Sequence, residues 1–212
     1  MKVSQAKENT LKKIRKALIH TTPIPFPQSE GNNSVFQASR KELEIEFAEN
    51  FTGLLGKFIF CVNLQELAAY FTELVEHASL TRLYSREKVL IELLKKNNFV
   101  QPFIHNLADC DAAVTSCELL VARTGSIVMS AAQESGRTVS VYAPIHICIA
   151  FTSQLVYDIR EGLQLLKERY HENFPSLITF ATGPSRTADI EKSLVVGVHG
   201  PKEVYLFLVD QQ

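Results

Sequence analysis

Apolar positions along the chain change their period several times, and those changes predict where elements begin and end. Leu11, Ile14 and Leu18 recur at helical spacing on a thin stripe within residues 1–20. Leu43, Phe47, Phe51, Leu54 and Leu55 line one face of a second helix. Ser39 and Glu42 stand at capping-box spacing ahead of it, and Gly56 is its expected stop. Residues 58–62 are apolar on both faces. Asn63 then caps a helix, with Glu66 three residues on. Its Leu64, Leu67, Ala68, Phe71, Leu74, Val75 and Ala78 follow the i, i+3, i+4, i+7 rule. A short strand near Leu83 leads to a helix opened by Ser85 and carrying Val89, Leu90, Leu93 and Leu94. Residues 112–115 read as a strand, and Ser116 as the cap of a short helix ending before Gly125.

The alternation continues. Residues 127–130 form an expected strand, and in residues 138–142 Val139 and Val141 alternate with polar positions as on a half-buried strand. Residues 145–151 are mostly apolar on both faces; a helix with Val156, Ile159, Leu163 and Leu166 follows. Residues 177–181 and 204–209 are strands with no polar face. Strands buried on both sides and separated by amphipathic helices predict an α/β fold with a largely parallel sheet covered by helices.

Composition narrows the class. The 212 residues allow one domain with an arm or two small ones. The 22 Lys and Arg against 23 Asp and Glu leave a net charge of −1, which argues against bulk electrostatic binding to nucleic acid or an acidic membrane. Locally, Lys2, Lys7, Lys12, Lys13, Arg15 and Lys16 against Glu8 make the first helix basic: a solvated face beside a packing stripe, or a contact for a partner. Pro23, Pro25 and Pro27 mark an extended connector, so the expected division is 1–38, a basic helical arm with a Pro-rich linker, and 39–212, an α/β domain. Cys61, Cys110, Cys117 and Cys148 include no C-x-x-C pair and read as reduced thiols packed as small hydrophobes. With no secretory signal and no membrane span, the expected location is the cytoplasm.

Three loops have the composition for chemistry, which in open α/β sheets collects outside the carboxyl ends of the strands. In Thr124-Gly125-Ser126, glycine lets backbone N–H groups approach an anion and the hydroxyls add donors; a glycine helix stop accounts for it equally well. Residues 183–191, Gly-Pro-Ser-Arg-Thr-Ala-Asp-Ile-Glu, follow an apolar strand and read as a strand-to-helix turn able to cradle an anion. There Arg186 offers a bidentate clamp, whereas Asp189 and Glu191 would repel an anion; the alternative is a capped turn with an Arg186–carboxylate ion pair. Residues 197–201, Gly-Val-His-Gly-Pro, suit a tight turn exposing His199, in a catalytic or a structural role. His146, between Ile145 and Ile147, reads as a core histidine. No G-x-G-x-x-G opening a helix, P-loop, G-x-S-x-G elbow or H-E-x-x-H occurs, and the histidines show no metal spacing, which argues against a self-contained redox enzyme.

Taken in order, residues 121–126, 183–191 and 197–201, with Pro144 and His146, resemble the lactate-utilisation protein C, or LUD-domain, family. The resemblance covers roughly residues 110–209; residues 40–110 agree only in pattern. It implies a three-layer α/β/α fold like ribose-5-phosphate isomerase and the CoA transferases. It also implies a cluster-free accessory subunit in a three-subunit system oxidising L-lactate to pyruvate, with iron–sulfur subunits as partners and no cofactor or metal of its own. The ligand-binding candidates are Thr124, Gly125, Ser126, Gly183, Pro184, Ser185, Arg186, Thr187, Asp189, His199 and Gly200, with a small anionic metabolite as ligand; no catalytic residue is assigned. A homo-oligomer is compatible with this reading. The alternatives are a stand-alone enzyme or binding protein for a phosphorylated or CoA-linked metabolite, by analogy of fold, and a scaffold with a vestigial pocket.

Overall fold

The computed structural model describes residues 5–19, 41–188 and 194–210. The chain divides into two units, Met1–Ala38 and Ser39–Gln212. The described part of the first unit is α1 (Gln5–Leu18) with Ile19. Leu11 and Ile14 of its apolar stripe are exposed. Ser39, Asp189 and the Pro-rich linker lie outside the described residues.

The second unit opens with α2 (Leu43–Gly53), β1 (Lys57–Cys61), α3 (Leu64–His77), β2 (Leu83–Tyr84), α4 (Lys88–Lys96), β3 (Phe103–Ile104) and β4 (Ala112–Thr115). It continues with β5 (Leu119–Val121), β6 (Ser126–Ser130), α5 (Val139–Tyr142), β7 (Ile145–Phe151), β8 (Leu155–Val156) and α6 (Ile159–Tyr170). It closes with β9 (Ile178–Ala181), β10 (Arg186–Ala188), β11 (Leu194–Val196) and β12 (Glu203–Val209). Six strands form one sheet in the order β1-β12-β7-β4-β2-β3, with every neighbouring pair parallel.

Both faces of that sheet are buried, as the apolar runs require. On one face Ala112, Val114, Ile147, Ile149, Phe207 and Val209 pack against Leu67, Phe71 and Val75 of α3 and Leu90 and Leu94 of α4. The α3 cap forms as expected: Asn63 Oδ1 accepts from Glu66 N at 2.9 Å, and the Glu66 carboxylate accepts from Val62 N at 3.0 Å. On the other face Cys148, Ala150, Leu206 and Leu208 meet Phe47 and Phe51 of α2 and a second sheet ordered β8-β5-β6-β9. Beyond it, Leu166 of α6 covers Leu119, Val121, Val128 and Val156. The fold is therefore α/β with a parallel central sheet flanked by helices, plus a small mixed sheet on one side.

Four local expectations are corrected. Residues 116–124 are not a helix but β5 and a 3-10 turn: Leu120 faces α2 while Leu119 and Val121 face α6, a period of two. Residues 138–142 are a single helical turn rather than a strand. Val139 and Ser140 are consecutive buried residues, and the amides of Val141 and Tyr142 return to Thr138 O. Residues 177–181 supply β9, an edge strand antiparallel to β6 and only half-buried, outside the parallel sheet. At the end of α2 the left-handed residue is Leu55 (φ 69°), not Gly56. Gly56 serves a different purpose: a Cβ there would lie 2.5 Å from the Phe51 ring.

Candidate functional site

The three sequence motifs gather at one edge of the parallel sheet, but at its amino edge. Gly197 to Pro201 immediately precede β12, and the next residue, Lys202, donates its N–H to Pro144 O (2.8 Å) just ahead of β7. Gly183 and Gly125 lie against the last turns of α2, which lead into β1. The carboxyl-edge placement expected from open α/β sheets is thus overturned; the motif loops precede or flank the strand starts.

The expected strand-to-helix turn at 183–191 is also corrected. Arg186, Thr187 and Ala188 pair antiparallel with Val196, Val195 and Leu194, so the motif feeds a hairpin arm rather than a helix N-terminus. The second and third motifs are stitched together. Ser185 N donates to Pro201 O, and Gly197 N donates to Ser185 O, both at 2.9 Å. Gly200 sits so tightly on Ser185 that an added Cβ would lie 2.8 Å from the Ser185 Cβ. Arg186 and His199, each adjoining this contact in sequence, are exposed, and Arg186 has no ion-pair partner among the described residues. Pro184 is buried beside them.

Gly125 and Gly183 both take positive φ, 59° and 86°. Their missing side chains admit protein, not open space: a Cβ would fall 2.5 Å from Phe51 N at Gly125 and 2.4 Å from Leu54 O at Gly183. Between them runs a hydroxyl relay. Thr124 Oγ1 lies 2.7 Å from Ser126 Oγ, which lies 2.9 Å from Thr182 Oγ1.

Polar residues that carried no motif signal, and Arg123 within the first motif, brace these loops and the fold beyond them. Asn50 Nδ2 donates to Ala122 O (2.9 Å) and Arg123 O (3.2 Å), tying α2 to the turn before Gly125. Arg123 pairs with Asp158 at 2.8 Å, and Asp158 also caps α6 by accepting from Arg160 N. Glu118, buried in an apolar run, accepts from Ser130 Oγ and Tyr170 OH and pairs with Arg169 at 2.7 Å. A lone carboxylate inside a strand-forming apolar run was the available signal, since such a charge is buried only when paired. At the opposite, carboxyl edge, buried Glu87 accepts from Ser116 N (2.9 Å) and from Ser135 Oγ.

His146 is a core residue, as its apolar neighbours imply. Its Nε2 lies 2.8 Å from Thr115 Oγ1, and burial holds its pKa down at about 4. The four cysteines are free and buried; burial, followed by the adjoining Cys117 thiol, pushes the Cys148 thiol up. Among the described residues, no group of three or more His, Cys, Asp or Glu is arranged to hold a metal ion, and no helix is long and apolar enough to cross a membrane.

A parallel α/β sheet with glycine-rich loops braced on its first helix defines the class, and comparison with known proteins defines the family. The LUD domain model matches residues 45–209, and the chain belongs to the LUD domain family. Lactate utilization protein C of Bacillus licheniformis is 34% identical over 111 residues, or 51% of this chain and 46% of that protein. The protein of the same name from Deinococcus radiodurans is 34% identical over 110 residues, 51% of each chain. The chain thus spans about half the length of the curated relatives it matches. In fold it is similar to the crystal structure of a DUF162 family protein from Deinococcus radiodurans, with a TM-score of 0.60 at 21% identity over 82% of this chain and 99% of that one.

Proposed function

We propose that this chain acts in lactate utilisation as an accessory subunit. It works beside iron–sulfur subunits that carry the electrons, and it holds a small carboxylate anion at the amino-edge loops. The observation that supports the reading most is the 34% identity to proteins named lactate utilization protein C, together with the family match that contains every described motif residue. The loop geometry suits an anion: Ser185 is fixed between Gly197 and Pro201, and the neighbouring Arg186 guanidinium and His199 imidazole face solvent. Lactate and pyruvate both carry the carboxylate that a planar guanidinium forks.

Calorimetric titration of the full chain with L-lactate, pyruvate and inorganic phosphate tests the site. Arg186→Ala removes a charge-assisted hydrogen bond of about 1.5–3 kcal/mol, or roughly 10- to 150-fold in affinity. Arg186→Lys restores only part, because an ammonium lacks the fork. Equal binding by all three proteins removes Arg186 from the site, and preference for phosphate favours the reading as a phosphometabolite protein.

A further inference from the structure

Apolar side chains stand in solvent around the motif loops. Val141 and Tyr142 end α5, and Val196 and Val198 flank Gly197; all four are exposed, Tyr142 by 60% and Val198 by 56%. The contacts that fix the loops gather them into one patch. A Cβ on Gly200 would lie against Ser185 and 3.9 Å from Val141 O, and one on Gly197 would run into Lys202. Val196 pairs with Arg186 across the hairpin. The described charges of the patch have one sign. Arg186 and Lys202 are exposed, and neither has an ion-pair partner among the described residues. Glu203, next to Lys202 in sequence, is already held by Lys57 and Tyr205.

A lactate-sized anion occupies a guanidinium and little more, so it leaves these apolar side chains in water. Exposed apolar residues beside a tyrosine and an arginine have the composition of a protein interface. We propose that this face docks the partner subunit, through a segment that presents an apolar anchor between carboxylates and so roofs the anion site. The inference rests on the accessory-subunit reading. A second copy meeting this face with its own would set Arg186 and Lys202 against the same cations, so charge selects a different, acidic chain. Two cations on loops without a long apolar helix are too few for a stable hold on an anionic membrane.

The test isolates the tagged chain from the cell that makes it and reads iron and acid-labile sulfide in the complex. The iron–sulfur subunit is then separated and titrated against wild type and variants. Wild type binds it with an affinity that falls as salt rises. Tyr142→Ser combined with Val198→Ser, both at exposed positions, lowers that affinity at least about thirtyfold while the thermal transition and the pyruvate titration stay those of wild type. Lys202→Glu weakens it as well. If wild type carries no iron–sulfur protein, the accessory reading fails and the inference with it; if it does and the variants bind as wild type does, the inference alone fails. Self-association, or binding to phosphatidylserine vesicles, that the double variant abolishes gives the face another occupant and also overturns the proposal.

Discussion

Acidification past the histidine range should destabilise this protein through one residue. His146 is fully buried on β7, with Nε2 beside Thr115 Oγ1 and no hydrogen-bond partner for Nδ1 among the described residues. Burial holds it at about 4, against the ordinary 6.5 that it regains on unfolding. Between those values the unfolded chain takes up a proton that the folded chain refuses, so stability is greatest above 6.5 and falls as pH drops toward 4. At about 1.4 kcal/mol per pH unit the whole loss is roughly 3 kcal/mol, and roughly 2 kcal/mol of it comes between about pH 7 and pH 5. That is a large share of a typical 5–15 kcal/mol total. Urea unfolding of wild type and His146→Gln across this range separates the contribution from carboxylate titration, which both proteins share. Glutamine keeps a polar group near Thr115 without a titrating ring; the variant is less stable near neutrality and loses about 2 kcal/mol less on acidification. Parallel profiles for the two proteins would refute the reasoning, as would an imidazole titrating near 6.5 by NMR in the folded state.

Two further outcomes follow from the packing. Gly183→Ala should cost clearly more stability than Gly136→Ala by thermal unfolding. Both positions have positive φ, but a Cβ at 183 meets Leu54 O at 2.4 Å and one at 136 meets nothing within 4 Å. Equal losses would mean that strain, not contact with α2, sets the need for glycine. Glu118→Ala strands Arg169, Tyr170 and Ser130 and should cost about 2–3 kcal/mol, at the low end for a broken buried pair because Arg169 is half exposed; Glu118→Gln should recover part. Denaturation midpoints measure both, and an unchanged midpoint for the alanine variant contradicts the clamp.

Much of the fold was legible because parallel strands leave a plain mark. Residues 58–62, 145–151 and 204–209 are apolar on both faces since helices cover one side and α2 with the small sheet covers the other. The small sheet itself was hidden. β5 and β9 lie in apolar runs like those of the main sheet, and only pairing with β6 distinguishes them. The turn at 138–142 misled for a related reason: an alternation of a few residues carries no information about pairing partners. The candidate loops were legible as composition, but their meeting place was not. Ser185 meets Gly200, and Asn50 reaches Ala122 across 72 positions, through contacts that depend on topology rather than on local pattern. The role of Gly125 and Gly183 as seats for α2 is likewise visible only once the helix is in place.

The proposed role in lactate utilisation is tested most directly by removing the chain from the cell that makes it and measuring growth on L-lactate and on pyruvate as sole carbon sources. Growth on lactate should fail while growth on pyruvate persists, and the chain supplied in trans should restore it where the Arg186→Ala chain restores it poorly. Undiminished growth on lactate without the chain would contradict the account.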